Sequence, residues 1–296
     1  MVRAAEAEDT KPTPPSQSPL NANPLPVTRI APPSRWASLD LGELWRYRDL
    51  LYFFVWREFK IRYKQTILGV SWAIIQPFVT MVVFSIFFGG LLAVPSDDIP
   101  YPVFSYTGLL AWNLFAEGLN RASEVLVQQT SLITKVYFPR LLMPSAAVLA
   151  RLIDFAPAFV VLLGMMLAFG ITPTVNVVWL PAFLLLALAT TLGAGFWLSA
   201  MNAQFRDVRY TVPFLVQLWL FLTPVVYPSS LLEQPWQTLY ALNPMVGVVE
   251  GFRWALLGVA TPPGLPVLVS TGAALALLLS GAFYFQHMER HFADVV

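Results

Sequence analysis

The chain has no cysteine and only two histidines, His287 and His291. A disulfide framework, thiolate metal sites and thiol nucleophiles are therefore excluded, and a transition-metal site has few ligands to draw on. No GK dipeptide occurs in the 296 residues, so there is no P-loop, and nucleotide-driven work needs a partner chain to hydrolyse the nucleotide. Charge is scarce too. Only 12% of residues are Asp, Glu, Lys or Arg, and 18 basic against 17 acidic side chains leave a formal charge of +1. That balance offers no basic excess to nucleic acid. What fills the sequence is apolar: 57% hydrophobic and 14% aromatic residues, with a mean hydropathy of +0.63. This is the composition of a membrane protein.

Residues 1–36 hold eight of the 25 prolines and almost no apolar clustering. Too little surface can be buried there to offset ordering entropy, which predicts a disordered Pro-rich tail. No apolar core of about 7–15 residues stands near the start, so no signal peptide is expected and the N-terminus is expected to stay in the cytoplasm. Residues 37–64 form the next unit. From Leu41 to Lys64, Leu44, Tyr47, Leu51, Phe54 and Val55 recur at helical spacing among Arg46, Arg48, Arg57, Lys60, Arg62 and Lys64. The pattern predicts an amphipathic interface helix, apolar groups in the headgroup boundary and cations on anionic lipid. A helix packed on another protein would show the same pattern.

A hydrocarbon core of ~30 Å takes about 20 apolar residues per helix. Six runs qualify, near 68–93, 102–119, 143–169, 177–200, 210–227 and 266–285. From Phe155, within the third run, to Phe205 the chain carries no charge, too long a stretch for one span, and GITPTVN at 170–176 divides the third run from the fourth. Before the last run, the apolar segment 228–258 is cut by Pro235, Pro244 and Gly247, which predicts paired short helices dipping into the outer leaflet. The expected fold class is an all-α polytopic membrane protein. It has six transmembrane helices in a domain at 65–290, an N-terminal amphipathic interface helix, short re-entrant outer helices before the last span, and a tail at 291–296. Of the 18 basic residues, all but Arg253 precede the first run or flank loops on its side. The positive-inside rule then places both termini in the cytoplasm.

Several polar groups stand out against this apolar background. Arg151 and Asp154, three residues apart in the third run, can pair on one helical face. A structural pair and a proton relay are both open readings. Arg206, Asp207 and Arg209 cluster after the fourth run, with a structural role at the next helix or contact with a partner as alternatives. At 100° per residue, Trp72, Gln76, Thr80, Val83 and Phe87 fall within a stripe of about 80° on the first run. Phe214, Gln217, Phe221 and Pro224 make a similar stripe on the fifth. Such mixed aromatic and amide faces suit a polar path, although Gln76 and Gln217 could equally bond neighbouring helices.

The ordered set RYKQTILGVSWAIIQP (62–77), SLITKVYFPR (131–140), NAQFRDVRYTVPF (202–214), LTPVVYP (222–228) and NPMVGVVEGFRWALLG (243–258) resembles the ABC-2 type permeases that export polysaccharides, such as O-antigen, capsule and teichoic acid. The resemblance covers about residues 41–290. It implies a homodimer in the bacterial inner membrane docked on two copies of a separate ABC ATPase, with ATP and Mg on that partner and no cofactor, metal or catalytic residue on this chain. It implies a coupling helix pressing on the ATPase from the connection 120–140, with Arg121, Glu124, Lys135, Tyr137 and Arg140, some of which would also anchor topology. It further implies an outer gate within 229–258, where Trp236, Tyr240, Glu250 and Arg253 lie. The substrate implied is a polyprenyl-diphosphate-linked polysaccharide. Withdrawing a prenyl tail from lipid at ~0.8 kcal/mol per CH₂ would cost on the order of tens of kcal/mol, so only diphosphate and sugar would enter, sideways. Arg57, Lys60, Arg62 and Lys64 are placed to meet phosphate, as they are to meet any anionic lipid. The sugar would then pass Trp72, Gln76, Thr80, Phe87, Phe214, Gln217 and Phe221. Export of a drug, haem or lipid by the same kind of permease is an alternative. So are a membrane enzyme acting on a polyprenyl-linked sugar, against which stands the lack of HExxH or paired carboxylates, and a scaffold without transport.

Overall fold

A computed structural model describes residues 41–64, 66, 69–233, 235–258 and 264–289. The Pro-rich segment 1–36 and the tail 291–296 lie outside them. The order of helices is α1 (Leu41–Arg46), α2 (Arg48–Tyr63), α3 (Trp72–Phe84), α4 (Tyr101–Gln128), α5 (Thr130–Lys135), α6 (Leu142–Leu149), α7 (Arg151–Ala168), α8 (Leu180–Gln204), α9 (Val208–Phe221), α10 (Trp236–Tyr240), α11 (Pro244–Leu257) and α12 (Leu265–Glu289). No strand occurs among the described residues.

α4 is the axis of the bundle. It packs against α3, α6, α7, α8, α9 and α11, and most of its residues from Tyr101 to Leu126 are buried. Its N-terminal half joins α7, α9 and α11 in one apolar core, around Tyr106, Phe115, Leu162 and Phe252. Its other half joins α2, α6, α8 and α12 in a second, around Phe54, Leu126, Leu142 and Phe285. α8 and α12 touch backbone to backbone. A Cβ on Gly193 would lie 2.6 Å from the Leu278 amide nitrogen, and a Cβ on Gly281 would strike the Gly193 carbonyl, so both positions require glycine.

Among the described residues, four helical segments are long and apolar enough to cross a membrane: Trp72–Leu91, Leu142–Ala168, Val175–Gln204 and Leu265–Glu289. This is two fewer than the runs in the sequence. α4 has 28 residues, about 42 Å at 1.5 Å per residue, but Glu117, Arg121 and Glu124 dilute its apolar character. α9 is apolar yet has 14 residues, about 21 Å against a core of ~30 Å.

Local chemistry explains several boundaries. α3 contains Pro77 and passes into a π-helical stretch at Ser85–Leu91. α11 begins where the Asn243 side chain accepts the Met245 amide at 3.1 Å, has Pro244 in its first turn, and ends at Gly258 with φ 68°, the left-handed cap that glycine adopts without strain. With α10 it forms the pair of short helices expected before the last span.

Two expectations need correction. The stretch expected to be one amphipathic helix is divided at Tyr47, and the face assigned to lipid is turned to protein. Phe54 is buried edge-on against Phe138, with ring centroids 5.3 Å apart, while Leu44, Tyr47, Leu51 and Val55 flank the same core. Trp45, Tyr52, Phe53, Trp56 and Ile61 are among the exposed residues. The helix has apolar groups on both sides, so periodicity alone could not say which side docks. The second correction concerns residues 120–128, expected in the connection after the second run, which instead continue α4, so Arg121 and Glu124 belong to its last turns. Pro144 likewise sits within α6, near its start, where a proline is accommodated.

Candidate functional site

The last turn of α2, the middle of α4 and the first turn of α7 gather a cluster of ions. Arg62, in the last turn of α2, places one guanidinium nitrogen 2.6 Å from Glu117 of α4 and the other 3.0 Å from Asp154 of α7. Arg151 reaches the same Asp154 at 3.1 Å and Glu117 at 3.3 Å, and the Tyr63 hydroxyl donates to Asp154. Two cations meet two anions, which offsets the desolvation that an isolated charge would suffer there. Arg151 is buried, and its Nε has no hydrogen-bond partner. Burial opposes the charge on Arg62, but the Glu117 and Asp154 carboxylates outweigh it and hold the guanidinium ionised. Burial, then the bond to Asp154, pushes the Tyr63 phenol up, so it stays a donor. A cleft borders this cluster, lined also by Ala73, Pro77, Asn113, Leu114 and Phe155.

One turn further along α4 a second set of charges reaches α2. Arg121 Nε donates to Glu58 at 2.8 Å, Gln129 Nε2 donates to the other Glu58 oxygen at 2.7 Å, and Arg57 lies 4.0 Å away. Arg121 also donates to Gln128, whose amide donates to Glu124 at 2.6 Å. Arg209, after α8, approaches Glu124 at 3.9 Å.

At the other end of the bundle, α11 holds Arg253 with 1% of its surface exposed. It donates to the Val225 carbonyl at 2.8 Å and to Glu250 at 3.2 Å, and it lies 3.5 Å over the Phe104 ring. Glu250 also accepts the Ser229 amide at 3.3 Å. The Tyr227 and Tyr240 hydroxyls are 2.9 Å apart. Asn243 accepts from Trp219 at 3.0 Å and donates to the Leu222 carbonyl at 2.8 Å. Residues 222–228 are thus fastened to both short helices.

The anticipated residues fall into groups. The stripes separate from the packed core: Trp72, Phe87, Phe214 and Phe221 are each about half exposed, Gln76 and Gln217 are exposed, and Thr80 donates to the Gln76 carbonyl. α3 with the π-helical stretch that follows it, and α9, carry them, and both pack on α4. Of the four cations assigned to phosphate, Arg62 is engaged in the ion cluster and Arg57 is part-buried beside Glu58. Lys60, over the Trp56 ring at 5.4 Å, and Lys64 are exposed. Of the coupling set, Arg121 and Glu124 are tied up along α4 and Arg140 binds the Glu289 carbonyl at 2.8 Å. Lys135 and Tyr137 project, the latter 75% exposed. Glu250, Arg253 and Tyr240 come together around residues 225–229, whereas Trp236 points outward, 60% exposed. The Arg151–Asp154 pair forms as its spacing indicates. Glu117, Glu58 and Tyr63 were not anticipated. An acid within an otherwise apolar run was a signal for Glu117, and the shared Glu-then-Arg i, i+4 order of Glu58/Arg62 and Glu117/Arg121 was a signal for Glu58.

Residues 49–257 match the family described as ABC-2 type transporter. The chain is 32% identical over 257 residues to the O-antigen export system permease protein RfbA of Myxococcus xanthus, covering 86% of this chain and 98% of that protein. It is 26% identical over 259 residues to a protein of the same name from Klebsiella pneumoniae, covering 87% and 97%. Against the polysialic acid transport protein KpsM of Escherichia coli it is 24% identical over 223 residues, covering 75% and 83%.

Proposed function

The chain belongs to the ABC-2 type transporter family, and from that premise we propose that it is the transmembrane subunit of an ABC exporter moving a lipid-diphosphate-linked polysaccharide, of the O-antigen kind, across the bacterial inner membrane. The relatives named for O-antigen and polysialic acid transport support the substrate class. The geometric observation that carries the reading is that α3 and α9, both on α4, leave their Gln and aromatic faces uncovered by the chain itself. A second copy facing them would enclose a path in which amides meet sugar hydroxyls and rings meet pyranose faces. The working unit is accordingly a homodimer.

In this reading α4 and α9 complete six spans with the four long apolar segments. Both termini are cytoplasmic, residues 65–290 are the transmembrane domain, and α1–α2 lie at the interface with Trp45, Tyr52, Phe53 and Trp56 toward lipid. The exposed Lys60 and Lys64, with Arg57, meet the substrate diphosphate, and Arg62 meets it when released from Glu117 and Asp154. Lys135 and Tyr137 present α5 to a separate ATPase that binds ATP and Mg. α10 and α11, held by Arg253, close the outer end, where Trp236, Tyr240 and Glu250 form the gate. The chain itself performs no chemical step.

Depletion of the protein in its native cell tests this reading. Surface polysaccharide should fall while lipid-linked polymer accumulates on the cytoplasmic side. Loss of polymer from both places would overturn it in favour of an enzyme or a synthesis scaffold.

A further inference from the structure

We propose that Glu58 and Arg62 of α2, with Glu117 and Arg121 of α4, form a charge zipper that fixes α2 on α4 in one register. Through this zipper, displacement of the α4–α5 end reaches α2 and the cleft. Glu58 pairs with Arg121 at 2.8 Å and Arg62 with Glu117 at 2.6 Å. Each helix offers an acid and, four residues later, a base, in the same order along the chain, so the two turns match when the helices run in opposite directions. A slip of one turn either way sets Arg62 against Arg121 or Glu58 against Glu117. Like charges would then meet in a part-buried setting, so the intermediate registers are closed and α2 either follows α4 or releases it altogether.

Two further observations support the link. The backbone of α2 lies against α6 more closely than against α4, so long charged side chains span the gap to α4. Gln129, the residue between α4 and α5, donates to Glu58 at 2.7 Å, which carries the contact to the start of the segment that projects Lys135 and Tyr137. At the other end Arg62 borders the cleft. The zipper therefore runs from the α4–α5 joint to the cleft without interruption.

The inference deepens the exporter reading and rests on it for its mechanical role. Because the chain has no cysteine, Asn113→Cys places a single thiol at the cleft, and its labelling by a membrane-impermeant maleimide can be followed in vesicles holding the full chain with its ATPase. Glu58→Arg and Arg121→Glu should each label several-fold faster than the parent, and the double exchange should return toward the parent rate, Arg57 turning outward to relieve the new neighbour. Glu58→Gln, which keeps an acceptor for Arg121 and Gln129, should shift labelling the same way by less, and it serves where the larger change prevents folding. Equal labelling in all variants overturns the zipper and leaves the exporter reading intact. In the same vesicles the single variants should hydrolyse ATP while export of lipid-linked polymer falls, and the exchange should restore export. Proportional loss of protein, hydrolysis and export that the exchange does not repair also overturns the zipper. Labelling that follows the zipper in a parent that exports no polymer would instead overturn the exporter reading.

Discussion

Arg253 shows how much one residue can hold. Its guanidinium serves Val225, Glu250 and the Phe104 face at once, and Gly108 makes room for it, since a Cβ there would lie 2.9 Å from the guanidinium. A lysine, with a single charged nitrogen, cannot span these partners. Arg253→Met leaves Glu250 without its cation, and breaking such a buried pair costs about 3–5 kcal/mol. Removing both partners should cost less than removing one. The Glu250→Gln/Arg253→Met double variant is therefore expected to survive heating in detergent better than Arg253→Met, measured as monodisperse protein left on size-exclusion chromatography. Tyr63→Phe should be milder, about 1 kcal/mol for one hydrogen bond, because Arg62 and Arg151 still hold Asp154. The same heating assay should rank it above Arg253→Met.

Among the elements, the α8–α12 contact is the least forgiving. Gly193→Val would force the two backbones apart, as the position of the Leu278 amide requires, and is expected to lower folded yield sharply. Gly164 of α7 has nothing within 4 Å of its missing Cβ. Gly164→Ala should leave thermal stability unchanged or raise it, since alanine is favoured over glycine within a helix by about 0.5–1 kcal/mol. Opposite outcomes in one detergent-stability series would contradict the packing described.

For the whole molecule, the uncovered faces of α3 and α9 set the expectations. Light scattering of the purified chain should give the mass of two copies. Trp72→Ala and Phe221→Ala should each slow polymer export at normal protein levels while co-purification with the ATPase is retained. Unchanged export in both would remove these rings from the path. Tyr137→Ala with Lys135→Ala should do the reverse, weakening co-purification while leaving the isolated subunit as stable as before.

The sequence by itself determined the class of molecule, most helices, the paired short helices near 236–257 and the Arg151–Asp154 pair, because composition, helical periodicity and i, i+3 spacing are local properties. Its ordered motifs pointed to the family that the match over residues 49–257 establishes. Tertiary structure alone decided the rest. Arg62 looked like a surface cation among five others, and its partner Glu117 is 55 residues away, beyond any periodic pattern. Leu51 and Phe54 looked ready for lipid, but α6 and Phe138 offered an apolar surface, and burial against protein does not distinguish itself from burial in a membrane in a hydropathy pattern. Arg121 and Glu124 read as part of the connection after the second run, but α4 extends through them, its last turns held by contacts to α2 and Arg209. Local sequence sets which residues can be helical and apolar. The pairing of distant helices sets which charges are left exposed for a partner.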